Sequence, residues 1–82
     1  MAVNSVTDLV IGNEYYLMNV GDDARFAIKV ILKDIDYPSK VHPELSQIEV
    51  SHPKYVMMVF DTWRIGIGET RKEAVKNFGR FK

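Results

Sequence analysis

There is no cysteine in the chain. That excludes disulfides, thiolate nucleophiles and cysteine-held metals together, and it suits a reducing compartment. No long hydrophobic run exists either. The longest, Tyr55 to Phe60, is far too short to span a bilayer. The first residues, Met1-Ala2-Val3-Asn4, carry no basic segment, and no apolar stretch of signal-peptide length follows. A cytoplasmic protein with no membrane partner is therefore expected. Histidine is scarce, and His42 and His52 both precede proline. With Asp61 or Glu44 they would form the one conceivable metal set, but they lack ligand spacing, so no metal and no cofactor are expected.

Catalytic constellations are missing as well. Ser39, Ser46, Ser51 and Thr62 lie outside any strand–turn–helix elbow, and the pairs Asp22/Asp23 and Asp34/Asp36 read as solvated turn residues. At 82 residues there is room for one domain but not for an added catalytic lobe. The expectation is a single domain over 1–82 that is not an enzyme, with residues 1–8 as a flexible arm.

What is present is a folded composition, 46% hydrophobic and 27% charged. Net charge is zero but unevenly spread. From Arg64 onward, six cations face Glu69 and Glu73, leaving +4; the earlier residues carry −4. Such asymmetry suits either a polyanion-binding end or head-to-tail self-association.

Segments that alternate with period two, or that run rich in β-forming apolar residues, predict strands. They are Glu14–Val20, Arg25–Lys33, Gln47–Ser51, Lys54–Phe60 and Trp63–Gly68. Arg25–Lys33 has one apolar face, Phe26, Ile28, Val30 and Leu32, and its phase slips at Asp34-Ile35, as at a bulge. Gly21 to Ala24 reads as a hairpin loop, and Asp36 to Leu45, with two prolines, as a long loop. Lys54–Phe60 is apolar on both sides, which suits a central strand covered twice or a strand facing a partner. In Trp63–Gly68 the large side chains share one side, and Gly66 and Gly68 leave the other open to close backbone approach.

One helix is well signalled. Thr70 is a natural N-cap, Glu73 completes a capping box, and Gly79 is the expected stop. Ala74, Val75, Phe78 and Phe81 form its apolar stripe, with Phe78 as anchor; Lys72, Glu73, Lys76, Asn77 and Arg80 face away. At this length the helix must dock on the sheet. The fold class is thus α+β: a small curved or barrel-like antiparallel sheet of four to five strands with one C-terminal helix packed on it.

The segment Gly68-Glu69-Thr70-Arg71-Lys72-Glu73-Ala74-Val75-Lys76-Asn77-Phe78 resembles the G-x-T-x-x-E-A strand-to-helix junction of HicB-type antitoxins. That resemblance implies a junction geometry and carries no function over. The outline of strands followed by a helix is also similar to small Src-homology-3-like barrels, as a shape, and the small cysteine-free format is similar to that of phage and mobile-element proteins.

Two functional readings follow. The first is a non-catalytic binding or regulatory module acting through a protein partner or as a homodimer. Its interface would use the surplus apolar residues Tyr15, Tyr16, Met18, Tyr55, Met57 and Met58. The alternative is nucleic-acid binding through Arg64, Arg71, Lys72, Lys76, Arg80 and Lys82, with Lys72, Lys76 and Arg80 four apart on one helix face and Trp63 able to stack on a base.

Overall fold

The computed structural model describes residues 3–19, 27–36, 46–53 and 55–80, with the side chains of Tyr55 and Val56 outside that description. Five strands form one antiparallel sheet: β1 (Glu14–Asn19), β2 (Ile28–Asp36), β3 (Gln47–His52), β4 (Tyr55–Asp61) and β5 (Ile65–Gly68). Among the described residues one α-helix, α1 (Arg71–Lys76), follows β5. The spatial order is β4-β3-β2-β1-β5, so the first four strands meander and β5 pairs back onto β1. The α+β expectation holds. The hairpin at Gly21–Ala24 and residues 37–45 of the expected loop lie outside the described residues; Asp36 itself ends β2.

The sheet is open, yet it cannot be flat. β4 and β5 occupy opposite edges, and only the 3-10 turn Thr62–Arg64 joins them. Flat strands about 4.8 Å apart would place those edges roughly 19 Å from each other. The four residue steps from Asp61 to Ile65 reach about 14 Å at most. The two strands also run in the same direction, so a flat sheet would require the connection to climb a strand length as well. Curling resolves both conflicts. The register shift between Leu32 and Asp34 divides β2 at the expected slip. Before it, β2 pairs with β1; from Ile31 onward it pairs with β3. The result is two sub-sheets, β5-β1-β2 and β2-β3-β4, facing each other across a shared core.

That core contains Tyr15, Leu17, Val30, Leu32, Ile48, Val50, Ile65 and Ile67, with Met58 and Phe60 packed against it. Residues 3–8, expected as part of a flexible arm, belong to it too, together with Leu9. Val3, Val6 and Leu9 are buried in the same cluster, because the spacing Val6–Leu9 across a 3-10 turn (Val6–Asp8) puts both on one side. The Asp8 carboxylate accepts the Asn4 and Ser5 amides and holds that turn. Met1 and Ala2 lie outside the described residues.

On the outer side of the first sub-sheet, α1 covers β5 and β1. Ala74 is fully buried there, with Met18 and Ala27. Gly66 and Gly68 permit this approach: a Cβ on Gly66 would collide with the Ala74 carbonyl oxygen, and one on Gly68 would lie 2.6 Å from the Glu73 side chain. Thr70 Oγ1 accepts the Glu73 amide as predicted. The Glu73 carboxylate departs from the expected box. It accepts the Glu69 amide and, 70 residues away in sequence, the Val3 amide, both at 3.0 Å.

Two further expectations for the helix are corrected. Asn77, placed on the outward face, is only 3% exposed, and its Nδ2 donates to the carbonyls of Val3 and Ile67, both at 2.9 Å. Phe78, the expected anchor, is 38% exposed, and Val75 is 39% exposed. The cause is helix length. Regular helix ends at Lys76, and the chain turns through Asn77 to Gly79, whose φ of 73° and hydrogen bond to the Ile65 carbonyl divert Phe78 from the stripe. Phe81 lies outside the described residues.

Candidate functional site

The strand Tyr55–Asp61 is an edge strand, not a central one covered on both sides. Its inner side gives Met58 and Phe60 to the core. Its outer side presents Met57, 45% exposed, and Val59, 60% exposed. The registers place around them Glu49, opposite Val59, then Asp34, opposite Glu49, and the row Asp36–Gln47–Asp61. Asp34, Asp36, Gln47, Glu49 and Val59 line one shallow depression. Gln47 Nε2 donates to Asp61 Oδ1 at 2.9 Å, and Asp34 Oδ1 accepts the Ile35 amide. Lys33 stands at the bulge beside them and is exposed. The outer side of the second sub-sheet is therefore a surface with an apolar edge on β4 and mainly acidic residues beside it on β3 and β2.

The predicted interface residues separate into three groups. Tyr15 and Met18 are buried and cannot present a surface; Tyr15 belongs to the shared core, its hydroxyl accepting the Val10 amide at 2.8 Å, and Met18 lies beneath α1. Sequence reasoning missed this because strand β1 is covered on one side by the core and on the other by the helix, so both of its apolar faces are accounted for within the chain. Tyr16 is half-buried, with Arg71 5.2 Å and Lys29 5.8 Å from its ring centre. Met58 packs inward, and Met57 alone of the pair is exposed. The side chain of Tyr55 lies outside the described residues.

The basic set also divides. Lys72 and Lys76 are exposed on α1, but Arg80 lies beyond the helix in the following turn, so the three do not share a helix face. Arg71 is tied down by the Ala27 carbonyl, to which its Nε donates at 3.3 Å, and by Tyr16. Arg64 stacks 5.4 Å from the ring centre of its neighbour Trp63. It lies at the seam between β4 and β5, in a depression shared with Asn19, Val59, Phe60 and Asp61. Trp63 is 47% exposed on the 3-10 turn, outside the strand in which the sequence pattern placed it. Lys82 lies outside the described residues.

Ser46 and Thr62 are buried and hydrogen-bonded to each other through their hydroxyls, and the Thr62 amide donates to the Ser46 carbonyl. They latch the end of β4 to the start of β3. Among the described residues no group of three or more His, Asp or Glu side chains is placed to hold a metal ion, and no helix is long and apolar enough to cross a membrane. No protein-family model, curated protein or solved structure matches the chain.

Proposed function

We propose that this protein is a non-catalytic binding module that works through a protein partner or a second copy of itself, and that the outer side of β2-β3-β4 is its contact surface. The observation that carries this reading is the exposure of Met57 and Val59 side by side along the edge strand of that surface. In so small a domain, apolar side chains displayed together on a sheet face are the usual mark of a contact. Among the described residues no strand pairs with the outer side of β4, so a partner strand can meet that edge.

The test is chemical cross-linking in lysate of the source cells, with nuclease present, comparing the wild type with Val59→Lys. A protein captured by the wild type and lost with the variant is the expected result. Identical capture by both would sink the reading.

Nucleic-acid binding is the rival. In its favour stand the exposed Trp63 with Arg64 beside it, and the approach of Gly79, next to Arg80, to the Trp63 carbonyl. It requires salt-dependent quenching of Trp63 fluorescence by single-stranded oligonucleotide, and it fails if low ionic strength produces none.

A further inference from the structure

The two outer sides of the sheet differ in charge sign, and they look away from the same core in different directions. On the first, α1 displays Lys72 and Lys76 beside the exposed apolar residues Val75 and Phe78. Glu73 on the same helix is turned away to the Val3 and Glu69 amides. On the second, Met57 and Val59 lie along the β4 edge, with Glu49 opposite Val59 on β3 and Asp34 and Asp36 one strand further in on β2. Each surface thus sets exposed apolar residues beside charged ones, and the prevailing charges are of opposite sign. Arg64 borders the second surface through the depression it shares with Val59 and Asp61, and Lys33 stands at the bulge, but Asp34, Asp36, Glu49 and Asp61 outnumber these cations there.

We infer that the contact surface of β2-β3-β4 receives the α1 surface of a second copy of this chain, giving a head-to-tail assembly. This rests on the reading of that surface as a contact site and names its occupant. Charge complementarity argues for the occupant: like surfaces brought together would place Asp34 and Glu49 against their own copies, or Lys72 and Lys76 against theirs, and both arrangements repel. Unlike surfaces bring acid to base beside exposed apolar residues. Because the two surfaces belong to opposite sides of one chain, the contact is heterologous. Each added copy leaves one donor and one acceptor surface free, so growth continues until a ring closes. The zero net charge of the whole and the opposed charges of its two parts have a physical use in this arrangement.

Sedimentation equilibrium of the full chain tests this. The expected result is a mass that rises with concentration at about 0.05 M salt and falls toward the monomer at about 0.5 M, where screening shortens the reach of surface charge several-fold. Two variants then separate the surfaces. Lys72→Glu with Lys76→Glu makes the helix surface acidic; Asp34→Lys with Glu49→Lys makes the sheet surface basic. Circular dichroism should show both folded, since Asp34, Lys72 and Lys76 are exposed and Glu49 half-buried. Each variant alone should remain monomeric, and an equimolar mixture should associate, because every contact between unlike chains restores acid against base. Wild type that stays monomeric at about 1 mM and low salt overturns the inference. So does a mixture that stays monomeric, or a variant that assembles alone as the wild type does. The salt series needs no variant and remains decisive if either fails to fold. A monomeric wild type whose Val59-dependent capture of another protein persists would remove the head-to-tail assembly and leave the proposed contact surface standing. Association seen only after adding an oligonucleotide would overturn the self-assembly and favour the nucleic-acid reading.

Discussion

The two edges of the sheet are treated in opposite ways. At one edge all four residues of β5 are buried. Helix α1 lies over its glycines, Asn77 bonds the Ile67 carbonyl, Gly79 bonds the Ile65 carbonyl, and Val3 is held beside it by Glu73 and Asn77. At the other edge, among the described residues, no strand pairs with the outer side of β4, and its outward side chains are the most exposed large apolar ones on the sheet. Open strand edges invite pairing, and proteins commonly cover, charge or shorten them. Here one edge is sealed by four separate devices while the other keeps apolar residues beside acidic ones. Among the described residues, the devices that close an edge act at β5 and none acts at β4.

Substitutions at the sealed edge should cost the most. Gly66→Ala drives a methyl group into the Ala74 carbonyl and within 2.9 Å of the Phe78 backbone, both main chain and unable to yield cheaply. A loss of about 3 kcal/mol is expected, out of roughly 4–12 kcal/mol for a chain of this length, read from urea denaturation. If the variant melts as the wild type does, α1 is not seated on β5 as described. Next comes Asn77→Ala, which leaves the Val3 and Ile67 carbonyls without their shared donor. About 2 kcal/mol should be lost, and the Val3 amide should exchange hydrogen faster because its backbone is no longer clamped from both sides. Normal protection at Val3 would show that Glu73 alone holds the segment.

Much of this organisation was legible beforehand. Period two located β2, β3 and β5, runs of β-forming apolar residues located β1 and β4, the phase slip at Asp34 marked the bulge, and Thr70 marked the start of the helix. What could not be read were contacts joining distant parts of the chain. Asn77 looked like a solvated face because a polar residue is assigned outward by default; its partners are carbonyls of Val3 and Ile67, invisible to a local pattern. The available signal was the placement of Asn77 three residues after Ala74 and four after Glu73, on the same side of the helix as Ala74. Strand order was hidden in the same way. The two-sided apolar pattern of Tyr55–Phe60 cannot distinguish a central strand from an edge with a contact surface, and only the return of β5 to β1 decides it. Phe78 measures the cost of that blindness. Taken as a buried anchor, its truncation would cost about 3–5 kcal/mol. At its observed exposure, Phe78→Ala should lose closer to 1 kcal/mol, less than Asn77→Ala, and the reverse order in thermal melts would restore the simple stripe.

The smallest effect on stability is expected at the open edge, and it carries the most information. Val59 extends outward from β4 with most of its surface in water. Val59→Lys removes no buried contact, adds a cation within reach of Glu49 and Asp61, and places at a strand edge the residue type that best discourages pairing. Unfolding free energy should change by less than about 0.5 kcal/mol. Association and partner capture, by contrast, should be lost, since lysine interrupts the apolar row on β4 and blocks the edge together. A variant that loses both stability and binding would mean that Val59 packs within its own chain, and β4 would then be a second sealed edge. Retained stability with lost binding would separate the two edges by function, β5 closing the fold and β4 meeting what lies outside it.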